Sequence, residues 1–358
     1  MPTKNPLMWL VVAVPLAVFF EYNGSHALAF FVSAAAIMPL AWMMGKSTEE
    51  LSLRTGESIG GLLNATLGNA VEMIISLFAL YAAYRNPGLV DSMVVVVQAS
   101  LIGSILGNLL LVLGLAFVWG GIHHRNQSFN SQVSQTNGSL LLLALIGLVV
   151  PAAFAAANKS ASEQSILELS RWTALVLLGI YGLNLLFQLR THADLYATES
   201  HHHEEPEMNA KQALTMLVTA TVLVAWMAHI LVASIEYAAT EYNIPHLFIG
   251  VILVPLFGNA AEHMTAVVVA KKNKMDLSIG IAVGSSIQIA LLIAPLMILV
   301  AWAMGIGLGL NFGIFETVVT LISVLIVNFI VQDGESNWLE GVMLLATYVI
   351  IGLSFLYI

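Results

Sequence analysis

Residues 60–72 read Gly60-Gly-Leu-Leu-Asn-Ala-Thr-Leu-Gly-Asn-Ala-Val-Glu72, and residues 250–262 read Gly250-Val-Ile-Leu-Val-Pro-Leu-Phe-Gly-Asn-Ala-Ala-Glu262. The two stretches overlie without a gap. Gly60, Leu63, Gly68, Asn69, Ala70 and Glu72 recur as Gly250, Leu253, Gly258, Asn259, Ala260 and Glu262. In each half the next apolar run opens a small-polar segment, Gly103-Ser-Ile-Leu-Gly-Asn108 against Gly284-Ser-Ser-Ile-Gln288. Self-similarity of this kind marks a duplicated architecture.

Composition gives the solvent in which the two halves fold. Apolar residues make up 59% of the 358 residues, charged ones 9%, and mean hydropathy is +0.88. A water-soluble chain carries roughly 45–50% and about 25%. These charges cannot cover a soluble particle of this size, so most of the surface meets lipid. A bilayer core of about 30 Å takes roughly 20 helical residues. Eleven apolar runs of that kind fall at 7–22, 27–44, 56–84, 92–120, 138–157, 171–190, 211–238, 245–270, 276–304, 310–332 and 338–357. Unpaired backbone cannot face lipid, and the runs are twice the length of barrel strands, so the fold class is an all-α membrane protein with eleven transmembrane helices.

Residues 1–24 hold the first helix. No small-residue cleavage site follows Leu7–Phe20, so that run is expected to be retained. Residues 25–191 hold a first five-helix repeat, 192–210 a linker and 211–358 a second five-helix repeat. An odd number of helices per repeat forces the two into opposite orientations, the sequence sign of a secondary transporter with its site near the midplane. Lys4, Lys46, Arg54, Arg125, Arg190, Lys211, Lys271, Lys272 and Lys274 share the side of the N-terminus, against Arg85, Lys159 and Arg171 opposite. Positive charge stays inside, which places the N-terminus in the cytoplasm and the C-terminus outside.

The net charge of −9 gives no basic field for nucleic acid and suits cationic ligands. No cysteine is present, which excludes disulfides, thiolate metal sites and cysteine nucleophiles. Glu72 and Glu262 stand out because they lie inside apolar runs with no Lys or Arg in either run's middle. A carboxylate there costs at least about 2.5 kcal/mol without a partner, so the counter-charge is a transported cation or a proton. Gly68 and Gly258 weaken the helix four residues before each Glu, and Pro255 removes a further backbone bond. With Asn69, Asn259, Ser104, Ser285 and Gln288 the pair offers the hard oxygens that calcium takes; zinc or copper would want His or Cys. One divalent cation or two protons neutralises the pair equally, and competition for the same oxygens would couple the two fluxes.

Gly68-Asn-Ala-Val-Glu72 and Gly258-Asn-Ala-Ala-Glu-His263 resemble the calcium/proton exchangers, the CAX family of the calcium/cation antiporter superfamily. Thr48-Glu-Glu-Leu51, Gln98 to Gly114, Leu231-Val-Ala-Ser-Ile-Glu236 and Asp333 to Gly341 look like further signatures of that family. The resemblance implies an eleven-helix antiporter in which Glu72 and Glu262 bind calcium and exchange protons, helped by Asn69, Asn259, Ser104, Ser285 and Gln288. The Gly-Thr-Ser-x-Pro-Glu motifs of the sodium/calcium branch are absent. Gly107 stands where the family often has Ser, and Tyr84–Asp91 reads as a lengthened loop.

His263 is either a proton relay beside Glu262 or a packing residue. Glu50, Glu236 and Glu316 lie near helix ends, as access-path groups or as interfacial and capping ones; His229 has less to recommend it. The linker carries Glu199, Glu204, Glu205 and Glu207 among histidines, either a solvated acidic connection or a regulatory divalent-ion sensor, the latter because family members carry an acidic helix between the repeats. The resulting expectation is a calcium-exporting, proton-driven antiporter of a prokaryotic inner membrane. Its partners are calcium, protons and the bilayer; it has no cofactor and no enzymatic activity. A sodium-coupled or manganese-carrying exchanger is the alternative, and a calcium-permeable channel is weaker because interrupted inverted repeats argue against a continuous pore.

Overall fold

The computed structural model describes residues 6–55, 60, 63, 66–158, 160–196 and 206–358. The rest of the first repeated stretch (61, 62, 64 and 65) and the linker residues Glu199, Glu204 and Glu205 lie outside the described residues. Helix dominates. After a 3-10 turn over Pro6–Val12 come α1 (Ala13–Tyr22), α2 (His26–Thr55), α3 (Ala70–Arg85), α4 (Val90–Leu106), α5 (Leu113–His123), α6 (Ser131–Ala157) and α7 (Glu163–Leu186). The second half supplies α8 (Ala210–Tyr242), α9 (Val254–Gly258), α10 (Ala260–Lys271), α11 (Met275–Gln288), α12 (Ala294–Ala303), α13 (Ile314–Ile330) and α14 (Trp338–Leu356).

Each of the eleven expected apolar runs carries helix. Length and apolarity alone give a smaller number of spans: seven among the described residues, with His246–Gly258 and Ala260–Lys271 forming an eighth bent by 58°. Leu7–Tyr22 and Ile314–Ile330 are shorter apolar helices. Several helices outrun their apolar stretch because polar caps extend them. Asn130 Oδ1 accepts from the amides of Gln132 and Val133, starting α6 well before its apolar part, and Asn209 with Gln212 makes a capping box for α8. The expected long loop at Tyr84–Asp91 is corrected. Tyr84 and Arg85 finish α3, and Val90 opens α4. Between them Asn86 Oδ1 accepts from Gly88 N at 3.0 Å over a 3-10 turn that Pro87 begins.

The chain forms two compact units, and each draws on both sequence halves. The first comprises Met1–Ser100, Glu199–Ala261 and Ile358; the second comprises Leu101–Thr198 and Glu262–Tyr357. In the first unit α2 and α8 pack antiparallel along their lengths. At one end the rings of His26 and Tyr237 lie 4.5 Å apart and those of Phe31 and Tyr242 5.6 Å apart. At the other end Arg54 donates to the Met208 carbonyl. In the second unit α5 meets α14 so closely that a Cβ on Gly341 would come 2.6 Å from the Gly114 carbonyl oxygen. A ribbon of β1 (Gln127–Ser128) and β2 (Glu335–Ser336) ties the loop after α5 to the loop before α14.

Candidate cation site

Both repeated motifs break their helices at the same residue pair. Gly68 and Asn69 form a turn ahead of α3, with Asn69 as the residue preceding the helix and Glu72 in its first turn. Asn259 separates α9 from α10, and Glu262 again lies in the first turn beyond. Asn69 and Asn259 take closely similar backbone angles, φ −99°, ψ 27° and φ −91°, ψ 6°. Such breaks leave amide groups at the start of the new helix directed toward negative charge, and the helix dipole favours an anion there. Each carboxylate therefore sits where the backbone supports it.

Asn69, Glu72 and Asn259 fall in the first unit and are all buried. There the second motif meets the first: a Cβ on Gly258 would lie 3.9 Å from Glu72 Oε1. Ser104, Glu262, Ser285 and Gln288 fall in the second unit. Ser104 and Ser285 are buried and Gln288 is partly so. The Ser285 hydroxyl donates to the Glu262 carboxyl, and Asn108 Nδ2 donates to Ser285 Oγ at 2.9 Å. Glu262 Oε2 is buried without a hydrogen-bond partner among the described residues, as is His263 Nε2.

Asn108 was not among the expected ligands. The signal was its position one turn beyond Ser104, which puts both on one face of α4 and its continuation. A second feature escaped sequence reading altogether. π-helical turns occupy Gly107–Val112 and Ile289–Ile293, the same place in both halves when Gly103 is laid on Gly284, and a further one runs over Ile249–Leu253 ahead of Gly258. Single π turns leave backbone carbonyls displaced from the regular ladder and recur at functional sites.

The remaining candidates sit elsewhere. Glu50 is fully buried, and its carboxylate accepts from the amides of Glu207 and Met208 at 3.2 and 3.0 Å, with Lys46 Nζ at 3.3 Å. Glu236 pairs with His246 at 3.1 Å where α8 ends. The Glu316 side chain folds back onto Gly313, the residue before α13, in a capping position. His229 is exposed, its ring 5.5 Å from that of Phe78. Glu207 is exposed. Among the described residues no three His, Cys, Asp or Glu side chains cluster as a metal centre. Within the second unit the side chains joined to Glu262 are the Ser285 hydroxyl and, behind it, the Asn108 amide.

These features define a polytopic helical membrane protein with matched acidic helix breaks. The chain belongs to the sodium/calcium exchanger protein family, whose model matches residues 25–190 and 212–357. It is 41% identical over 376 residues to a Ca2+/H+ antiporter of Aphanothece halophytica, covering 100% of this chain and 98% of that protein. It is also 41% identical over 368 residues to a vacuolar calcium ion transporter of Schizosaccharomyces pombe, covering 99% and 87%. The solved structure of the native Ca2+/H+ antiporter YfkE superposes with a TM-score of 0.84 at 38% identity, over 98% of this chain and 100% of that one. The protein is thus an integral membrane transporter.

Proposed function

We propose that the protein is a secondary active antiporter that exports calcium from the cytoplasm in exchange for protons. The observation that carries this reading is the matched pair of helix breaks, each with a glutamate one turn beyond an asparagine inside an apolar run. Two carboxylates held in a low-dielectric interior need a counter-charge, and calcium or two protons supplies it equally. Calcium leaving one face and protons entering from the other is then exchange through one set of oxygens, provided the site opens to one side at a time and the empty, charged form does not cross. The relatives named as Ca2+/H+ antiporters support this coupling over a sodium-driven or manganese-carrying one.

Glu72 and Glu262 bind calcium or protons in this scheme, and Asn69, Asn259, Ser104, Ser285 and Gln288 complete the oxygen shell. His263, buried beside Glu262, passes protons. Glu236 and Glu316 flank access paths. Eleven spans in two inverted repeats, with the N-terminus in the cytoplasm of a prokaryotic cell, complete the model, and the acidic linker with Glu199, Glu204, Glu205 and Glu207 senses calcium.

The test is calcium uptake into everted vesicles or proteoliposomes. Uptake driven by an imposed pH gradient and abolished by Glu72→Gln or Glu262→Gln is expected. Sodium-driven uptake without pH dependence would overturn the proton coupling, and linker deletion that leaves the calcium dependence unchanged would remove the sensor role.

A further inference from the structure

We propose that the second unit carries a binding site for an anionic phospholipid, built where α5 ends and α14 begins. The carrying observation is a groove of about 570 Å³ lined by Gly121, Ile122, Arg125, Asn126, Trp338 and Leu339. It lies at the ends of two helices long and apolar enough to cross a membrane, Pro87–His123 and Trp338–Leu356, hence at head-group depth. Its floor is a close contact: a Cβ on Gly121 would come 2.5 Å from Trp338 N. Its walls are apolar and outward-facing, with Ile122, Trp338 and Leu339 all more than half exposed. A tryptophan at a helix end in this setting is a typical interface anchor.

The charge at the groove selects the ligand. Arg125 is exposed and has no ion pair among the described residues. Exposed Lys271, Lys272 and Lys274 stand on the adjoining turn, which is stitched to the groove's loop by His124 Nε2 to the Lys271 carbonyl at 3.0 Å. Gln127 Nε2 adds bonds to the Ala270 carbonyl at 2.8 Å and Asn273 Oδ1 at 2.9 Å. Four acids stand nearby and are held by neutral donors of the surrounding loops: Asp276 accepts from Asn130 N at 2.7 Å, Asp333 from Glu335 N at 3.1 Å, Glu340 from Asn337 N at 3.1 Å, and Glu335 from Asn126 Nδ2 at 3.4 Å. Four cations with no ion pair among the described residues, beside an apolar wall, fit a phosphate head group with its acyl chains laid along the wall. Basic pockets at helix ends recognise anionic lipids in this manner.

The test is lipid retention. The delipidated full-length protein is mixed with equimolar phosphatidylglycerol and phosphatidylcholine, and bound lipid is read by native mass spectrometry. Preferential retention of phosphatidylglycerol is expected, reduced about five-fold by Arg125→Ala. It should be largely kept by Arg125→Lys and reduced again when Lys271, Lys272 and Lys274 are changed to Gln. Soluble glycerol phosphate should not displace the lipid. Equal retention of the two lipids, an unchanged preference in Arg125→Ala, or displacement by glycerol phosphate would each overturn the proposal.

Discussion

Asn108 Nδ2 donates to Ser285 Oγ over 2.9 Å, and this bond joins the small-polar segments of the two sequence halves inside one compact unit. Because Asn108 occupies a lone pair of the hydroxyl, the Ser285 proton is directed to Glu262. The three side chains act in series, which makes a quantitative expectation. A hydrogen bond to a charged group is worth about 1.5–3 kcal/mol, so Ser285→Ala should raise the calcium KM by tenfold or more in vesicle uptake. Asn108→Ala should raise it less, since Ser285 keeps its own proton. The double variant should be no worse than Ser285→Ala alone, because groups in one network do not add. Additive effects would separate Asn108 from the Ser285–Glu262 pair.

Two glycines of the second repeated stretch should fail in different ways. A Cβ on Gly258 would make only ordinary contact with Glu72 Oε1, Val71 and Ile75 at 3.9–4.0 Å, so Gly258→Ala should transport. Gly258→Leu should fold and lose calcium uptake, its side chain taking the space beside the Glu72 carboxylate. Gly250 instead faces the Ala99 Cβ at an overlapping distance and the Val96 carbonyl at 3.0 Å. Gly250→Ala should therefore lower stability by about 1–3 kcal/mol, visible as a lower Tm in detergent, whatever its effect on transport.

Much of this was legible in the sequence, and the reason differs by feature. The apolar runs follow from bilayer thickness, which fixes a length that any reader can count. The helix breaks at Asn69 and Asn259 follow from glycine beside asparagine, repeated in both halves. The π turns at Gly107–Val112 and Ile289–Ile293 left no such trace, because a one-residue slip of the ladder is decided by what packs against it. The pairing of Gln127 with Ser336 was equally hidden, since two-residue strands far apart in the chain have no period to read. At Glu50 the sequence offered a charged residue near a helix end, and only the fold reveals what its oxygens hold.

Glu50 ends up as a clamp on the segment that leads into α8. Its oxygens serve two backbone amides and Lys46, while Arg54 holds the Met208 carbonyl. Glu50→Ala leaves part-buried donors without an acceptor, a loss of about 1 kcal/mol. Glu50→Gln should lose less, because the amide oxygen still accepts one bond. Thermal unfolding in detergent should rank wild type above Glu50→Gln above Glu50→Ala. Equal midpoints would show that the clamp contributes nothing to stability.

The Asp333–Gly341 signature ends on a glycine that the fold explains by close approach. A Cβ on Gly341 would meet the Gly114 carbonyl oxygen and Val118 N, both at 2.6 Å, so it runs into the backbone of one turn of α5. Backbone in a packed helix cannot swing away, whereas side chains can. Across the same contact, a Cβ on Gly114 would meet Leu345 Cγ at 3.0 Å and the Gly341 carbonyl at 3.1 Å, where the leucine can shift. Small residues allow helices to approach this closely in lipid, and enlarging one forces them apart. Gly341→Ala should therefore lower Tm more than Gly114→Ala, the first by the equivalent of about 1–3 kcal/mol. The reverse order would mean that α5 and α14 approach along a different line.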